Sequence, residues 1–183
     1  MAEPRIPIPV KLFVGMISSK LPLFKHCADI LEIEFGPTDM RSPIVPWDQT
    51  DYYHAEMGDG LSRMFIFFKN LIDPSRLAEI KTMANRIEKD LADPVTCQRI
   101  INLDPGYITE AKIVLASAKD FAHRVYIGQQ IYAEVTLQFR EKGKSFIALD
   151  HTYPDFRGKD SIELFNKARA TLRCELKRSP TAR

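Results

Sequence analysis

The chain has few cysteines, no long apolar run and almost no net charge. Its three cysteines lie far apart and form no Cys-x-x-Cys pair, so the sequence favours reduced thiols over a disulfide framework or a zinc site. Lys and Arg number 26 against 24 Asp and Glu, a net charge of +2 that does not by itself indicate a nucleic-acid or membrane partner. No apolar stretch approaches the roughly 20 residues that span a bilayer, and the first residues lack the apolar segment of a signal peptide. We therefore expect a cytoplasmic protein.

The length and composition predict one folded domain. A chain of 183 residues can bury one substantial core and is short for two. Its hydrophobic content of 45% with 27% charged residues is typical of globular proteins. We expect an extended, proline-containing arm at residues 1–9, one domain at 10–177 and a disordered tail at 178–183.

The first half of the chain predicts a βαββαβ order. Residues 10–17 form an apolar run typical of a central strand, and a helix stripe follows between Pro22 and Gly36. Residues 37–49 read as a loop, and 52–68 as a β-hairpin around a glycine-rich turn. A helix begins at Asp73-Pro74, and residues 97–103 read as a further strand. This order is that of the split βαβ, ferredoxin-like fold.

The second half predicts a β-meander and a final helix. Residues 104–106 (Asp-Pro-Gly) have the composition of a turn, and 109–118 fit either a helix or a strand, with the helix favoured. Strands are predicted at 123–127, 131–139 and 145–150, then a loop at 152–158 and a helix from about residue 160. The expected fold class is α+β, with a mostly antiparallel mixed sheet whose ferredoxin-like core is extended by the meander and the C-terminal helix.

The predicted meander brings charged side chains together. If residues 128–130 form its first turn, Arg124 lies opposite Glu134 and Tyr126 opposite Tyr132, with His151 beside Glu134 on the far side. An arginine stabilises an ionised carboxylate and a histidine exchanges protons near neutral pH, so the row could form an acid/base or phosphate-binding site. The alternative is a solvated cross-strand ion pair worth roughly 0.2–1 kcal/mol, which is the more frequent arrangement.

Other polar residues extend this candidate site. We assign base roles to Glu134 and Asp104 and an acid role to His123, because such groups must lie within hydrogen-bond reach of a substrate. Further candidates for ligand binding, all polar or aromatic, are Arg124, Lys119, Arg63, Glu56 and Tyr132. The hypothesis requires these side chains to converge on one pocket.

Metal and nucleotide motifs are weak. His54 and Glu56 share one face of the predicted strand at 52–57, and a third metal ligand would have to come from elsewhere, for example Asp104. Two ligands without a spacing signature do not predict a metal site. Gly143-Lys144-Ser145 resembles the end of a P-loop, yet the first glycine of that motif would fall at Gln138 and no helix follows. Short GTPase-like matches at 155–158 and 166–169 lie too close together for a GTPase domain. Whether the protein uses a cofactor stays unknown from the sequence.

Several blocks of the sequence resemble one family. They are YYHAEMGDGLSR at 52–63, NLDPGYITEAKIVLASAKDFAHRVYI at 102–127, IYAEVTL at 131–137 and TYPDF at 152–156. Together they resemble an uncharacterised bacterial family, domain of unknown function 4416, over residues 10 to about 172. Members are sometimes labelled GTP-binding proteins, but the resemblance brings no set of catalytic residues, and the motifs above argue against a conventional GTPase.

Two functions remain open from the sequence. The first is binding of a small phosphorylated ligand or nucleotide in a polar pocket, with acid/base chemistry as an option, so that enzymatic activity is undecided. The second is a non-enzymatic interaction module, either a homodimer or a sheet face that binds RNA through Tyr52, Tyr126 and Tyr132. RNA is disfavoured by the near-zero net charge and by the lack of an aromatic and basic RNA-binding motif.

Overall fold

One antiparallel sheet of nine strands organises the computed structural model, which describes residues 3–48 and 54–178. The strand order is β2-β4-β1-β5-β6-β8-β7, with β3 also paired to β4 and β9 to β8. The strands are β1 Val10–Ser18, β2 Thr38–Arg41, β3 Val45–Pro46, β4 Ser62–Ile72, β5 Asn102–Ile108, β6 Lys112–Ser117, β7 Val125–Gly128, β8 Ile131–Arg140 and β9 Ser145–Ala148. The predicted α+β class with an antiparallel sheet is confirmed.

Helices cover both faces of this sheet. They are α1 Pro22–Phe35, α2 His54–Met57, α3 Leu77–Asp90, α4 Pro154–Arg157 and α5 Lys159–Arg178, with a 3-10 turn at Pro74–Arg76 before α3. Within the described residues no helix combines the length and the apolar character needed to cross a membrane. Residues 3–9, in the predicted arm, are exposed without regular structure, and 179–183 lie outside the described residues.

The central strand β1 is buried on both faces. Leu12, Val14 and Met16 pack against α1 and α3, whereas Phe13 packs on the opposite face against Phe165 of α5. Adjacent residues of a strand point to opposite faces, so a strand covered twice needs apolar side chains throughout. The nearly continuous apolar run at 10–17, interrupted by Lys11, therefore predicts this strand correctly.

The three long helices also agree with the sequence. In α1, Phe24, Leu31 and their neighbours form the buried stripe. The Asp73 side chain accepts a hydrogen bond from Ser75 N at 2.8 Å, as expected for the residue that caps a helix N-terminus. The predicted loop at 152–158 contains the short helix α4 instead, with proline in its first turn.

The hairpin predicted at 52–68 is wrong in its first strand. Residues His54–Met57 are helical, and Tyr52 lies outside the described residues. The strands that pair with β4 are β2 and β3, both inside the predicted loop at 37–49. They are short strands, and β2 is polar, so neither carries an apolar signal in the sequence.

The turn predicted at Asp104-Pro105-Gly106 is also wrong, because these residues lie inside β5. They pair with Gly15, Val14 and Phe13 of β1. The strand predicted at 97–103 begins only at Asn102. Proline is disfavoured in a central strand because it has no N–H to donate, and it is tolerated here next to an interruption of the sheet described below.

The segment favoured as a helix at 109–118 contains strand β6. Ile113 and Leu115 face the α5 side, whereas Val114 and Ala116 pack with α3. A strand that is apolar on both faces satisfies a helical stripe as well as a strand pattern, and this explains the error.

The strands of the predicted meander pair in a different arrangement from the one expected. Strand β8 pairs on one edge with β6 and on the other with both β7 and β9, one after the other along its length. Arg124 and His151 therefore lie on the same side of Glu134, and not on opposite sides as expected.

Candidate functional site

A cavity of about 340 Å³ lies where β5 and β6 separate. The pairs between these strands run from Ile108–Ile113 to Gly106–Leu115 and are not continued by Asn102 to Pro105. Side chains from both layers therefore reach the opening: Lys81 of α3 from one face and Asp155 of α4 from the other. The described lining residues are Ile17, Trp47, Arg63, Lys81, Asn85, Arg99, Asn102, Asp104, Leu115, Ala116, Ser117, Ala118, Lys119, Phe121, Arg124, Tyr153, Asp155 and Phe156.

The Asp-Pro-Gly sequence helps to build this opening. Asp104 supplies a carboxylate to the cavity, and Pro105 has no N–H with which to extend the ladder toward β6. At Gly106 a Cβ atom would lie 2.5 Å from the Phe13 ring and 2.5 Å from Val114 O, so only glycine fits this close contact. The tripeptide thus combines a functional group, an interruption of the sheet and a close packing contact.

Arg63 is buried at the bottom of the site. Its guanidinium stacks on Phe65 at 4.5 Å, and Nη1 lies 2.9 Å from Asp155 and 3.6 Å from Asp104. A Cβ on Gly15 would be 2.5 Å from Nη2, so this glycine makes room for the guanidinium. Among the described residues, neither Nε nor Nη2 of Arg63 has a hydrogen-bond partner. Leaving such buried donors unpaired is costly, which marks Arg63 as a residue kept for more than packing.

Asp104 lies between two cations. Its side chain is 21% exposed, and Lys81 Nζ and Arg63 Nη1 lie 3.7 and 3.6 Å from its oxygens. Among the described residues, only Asn102 Nδ2, at 2.6 Å, donates a short hydrogen bond to it. Asp104 therefore retains acceptor capacity toward the cavity.

A buried charge network supports the α3 side of the cavity. Lys81 donates to Leu103 O at 2.7 Å, while Glu88 accepts from Leu103 N at 2.6 Å. Arg99 contacts Glu88 at 3.3 Å and Glu56 at 2.7 Å. Burial raises the pKa of Glu88 even though Lys81, the Leu103 N–H and Arg99 oppose that effect.

Arg124 connects three segments at the other end of the cavity. Nε donates to Glu134 at 2.8 Å, and Nη1 donates to Ser117 Oγ and to Lys119 O, both at 2.9 Å. Nη2 donates to the Tyr153 hydroxyl at 2.6 Å. Burial raises the pKa of Tyr153, so its hydroxyl stays protonated at neutral pH and can still donate a hydrogen bond.

Glu134 and the two histidines lie behind this arginine. Glu134 is only 2% exposed and accepts from His123 Nε2 at 3.1 Å as well as from Arg124. His123 stacks on His151 at 4.2 Å, and His151 donates to Val135 O at 2.9 Å. The predicted row therefore exists as a connected cluster, but His151 reaches Glu134 only through His123.

The predicted site residues fall into three groups. Arg63, Asp104, Lys119 and Arg124 line the cavity. Glu134 and His123 support it from behind through Arg124, and Glu56 does so through Arg99. Tyr132 is not among the lining residues and packs its ring on Tyr126 at 5.5 Å.

Sequence reasoning missed several lining residues, among them Lys81, Asn102, Arg99, Tyr153 and Asp155. For Lys81 a signal was present, because Lys81 and Glu88 lie seven residues apart on the buried side of α3. A charged pair inside an apolar stripe indicates a buried ion pair or a site. Tyr153 and Asp155 lie within the block TYPDF that carries part of the family resemblance.

No three His, Cys, Asp or Glu side chains in the described part of the chain form a group that could hold a metal ion. The predicted strand that paired His54 with Glu56 is helical, and Glu56 instead contacts Arg99.

Comparison with known proteins adds one match. The family model described as Domain of unknown function (DUF4416) matches residues 8–172. No curated protein and no solved structure is similar enough to match the chain.

Proposed function

Because the chain belongs to the DUF4416 family, whose description carries no activity, we propose a function from the site itself: the cavity between β5 and β6 binds a small phosphorylated molecule. The observation that carries this proposal is the lining, where five basic side chains accompany two carboxylates. The cavity volume of about 340 Å³ suits a small ligand.

Donors at one end of the cavity support a phosphate position there. Lys119 is exposed and lines the cavity, and Arg124 and Tyr153 lie beside it. The Tyr153 hydroxyl accepts from Arg124 and keeps its own proton for donation. Lysine and tyrosine donors around a fixed guanidinium favour phosphate oxygens.

Asp104 is the candidate acid/base group of this site. Its carboxylate is partly exposed to the cavity, whereas Glu134 is almost fully buried. We assign Glu134 and His123 to positioning, because Glu134 binds Arg124, His123 binds Glu134, and neither is among the described lining residues. This proposal leaves proton transfer to Asp104 alone.

A ligand screen tests the proposal. The probes are inorganic phosphate, ribose 5-phosphate, glycerol 3-phosphate and GTP, each organic one beside its unphosphorylated parent. We expect phosphorylated compounds to raise the melting temperature, since ligand at 100 times its Kd stabilises the native state by about 2.7 kcal/mol. Trp47, the only tryptophan and a lining residue, gives a second readout by fluorescence.

A lysine variant locates the phosphate. Lys119→Gln removes one charged donor and should weaken binding by about tenfold, the equivalent of 1.4 kcal/mol. Lys25→Gln, on an exposed side chain of α1, is the matched control and should bind as the wild type does. Equal binding by wild type and Lys119→Gln, or no response to any phosphorylated probe, would contradict the proposal.

We also propose a ferredoxin-like core for residues 10–108. Support comes from the antiparallel order β2-β4-β1-β5 and from the packing of α1 and α3 on the same face of these strands. A cytoplasmic location is proposed on the cysteines, of which Cys27 is buried with a pKa raised to about 12 by burial, and none is in a disulfide among the described residues.

The alternative function is a homodimer, and one surface favours it. Strands β7 and β9 share the outer edge of β8, and this edge exposes Val125, Tyr126, Ile127 and Ile147. Neither strand contains a charged residue, which is the usual protection of a sheet edge. A second copy could extend the sheet by pairing there.

A further inference from the structure

We infer that the phosphorylated ligand of this cavity is a polyol, with the class of sugar phosphates as the best match, and that Asp104 and Asp155 accept hydrogen bonds from its hydroxyl groups. This inference rests on the proposed function and narrows the chemistry of its ligand. It follows from counting which donors and acceptors of the lining are already engaged.

Most lining cations donate to the protein itself. All three nitrogens of Arg124 have acceptors: Glu134, Ser117, Lys119 O and Tyr153. Lys81 donates to Leu103 O at 2.7 Å. These bonds fix the cations and leave them few N–H groups for a ligand.

The carboxylates of Asp104 and Asp155, by contrast, have few of their acceptor positions filled by the protein. An ionised carboxylate accepts about four hydrogen bonds. From the described part of the chain Asp104 receives one short hydrogen bond, from Asn102, and the two cations beside it stay at 3.6 Å or beyond. Asp155 is 10% exposed and contacts Arg63 at 2.9 Å. The two carboxylates therefore keep open acceptor positions, which a complementary ligand fills with hydrogen-bond donors.

Neutral donors fit better than a cationic ligand group. The charge of Asp104 is already offset by Arg63 and Lys81, so an ammonium group would meet two cations next to its acceptor. The buried Arg63 lies between the carboxylates, contacts both through Nη1, and has no other hydrogen-bond partner among the described residues. Hydroxyl groups supply donors without charge, and several of them on one molecule can serve both carboxylates.

Aromatic walls complete the match with a sugar ring. Phe121 is 65% exposed and lines the cavity near Lys119, and Phe156 lines it from α4. Phe121 presents its apolar surface to the same cavity as the carboxylates, whereas Phe156 is 1% exposed and packs in the core behind the cavity. The C–H face of a sugar can pack on the Phe121 ring while its hydroxyl groups reach the aspartates.

Calorimetric titrations of the full chain test the inference. The probes are inorganic phosphate, free ribose, ribose 5-phosphate and glucose 6-phosphate, each with wild type, Asp104→Asn and Asp155→Asn. We expect the sugar phosphates to bind at least about tenfold more tightly than inorganic phosphate, and either variant to remove most of that preference. Asp29→Asn, an exposed carboxylate of α1, is the matched control, and melting curves confirm that each variant is folded.

The possible outcomes separate the two proposals. If inorganic phosphate binds as tightly as the sugar phosphates, or if both aspartate variants keep the preference, the polyol inference is overturned and the phosphate site stands. If free ribose binds as tightly as ribose 5-phosphate, the proposed function is overturned while the role of the aspartates stands. If no probe binds, both are overturned.

Discussion

Gly15 and Gly106 each leave room for a neighbouring side chain on which the site depends. A Cβ on Gly15 would meet the Arg63 guanidinium, and one on Gly106 would meet Phe13 and the backbone of Val114. Neither glycine has a positive φ, so the requirement is one of space and not of backbone conformation. These two positions in the centre of the sheet therefore tie its packing directly to the geometry of the cavity.

Gly15→Ala should destabilise the protein and displace Arg63. The added Cβ would lie 2.5 Å from Nη2 and 3.0 Å from the Phe65 ring, and Arg63 is buried and cannot move freely. Overpacking of this kind should lower the free energy of unfolding by about 1–3 kcal/mol. Urea denaturation of wild type and variant measures this difference. Gly143→Ala, where a Cβ meets nothing within 4 Å, is the control. Equal stability of the two variants would show that the Arg63 side chain can adopt another conformation without loss of stability.

Single residues of the site were predictable where their type alone carries the chemistry. Arg63, Asp104, Lys119 and Arg124 are charged groups, and the structure places all four at the cavity. Lys81 was missed because an amphipathic helix pattern assigns its position to the core. The deeper reason is that the separation of β5 from β6, which opens a path from α3 to the cavity, depends on contacts between distant segments.

At the scale of elements, Glu32 joins the end of α1 to the edge strand β2. Its carboxylate accepts hydrogen bonds from the Thr38 hydroxyl, from Thr38 N at 2.9 Å and from Arg41 Nη2 at 2.7 Å. The Thr38 hydroxyl and N–H, followed by Arg41, lower the pKa of Glu32 from its ordinary 4.5 to about 2. This junction holds a strand that has little apolar character of its own.

The contribution of Glu32 to the free energy of unfolding should depend on pH in a defined direction. A lowered pKa in the folded state means that the stabilisation is present above pH 4.5 and is lost as the pH falls toward about 2. Glu32→Gln should therefore reduce the free energy of unfolding at pH 7 by about 1 kcal/mol, with a difference that shrinks on acidification. Chemical denaturation at several pH values measures it, and Glu34→Gln, exposed on the same helix, should show no such trend.

Elements with local signals were predicted and those that depend on partners were not. Helices α1, α3 and α5 have stripes, and α3 follows a capping aspartate; all these signals are encoded within each segment. By contrast, β2 is a polar strand defined by pairing with β4, and β5 includes a proline that only its position beside an opening permits. Their assignment requires knowledge of the neighbouring strand.

For the molecule as a whole, the apolar edge formed by β7 and β9 bears on its state of association. Val125 is 64% and Tyr126 61% exposed there, and β7 ends the strand order of the described sheet. Exposed apolar edges without charged residues favour pairing with another strand. A dimer formed in this way would continue the sheet across two copies and would not cover the residues that face α5.

A substitution on β7 tests this association. Light scattering during size-exclusion chromatography should show a dimer for the wild type if the edge pairs with a second copy. Val125→Lys should then give a monomer that stays folded by circular dichroism, since the side chain is exposed. Ile33→Lys, at an 87% exposed position on α1, is the control. A wild type that stays monomeric at all concentrations rules out this alternative function.

The gap between β5 and β6 is an opening in the sheet that connects its two faces. A ligand bound in the gap would contact α3 on one face of the sheet and α4 on the other. It would therefore link the two helical layers and stabilise both. Its arrival should slow amide exchange in these two helices together, although they are far apart in sequence and lie on opposite sides of the sheet.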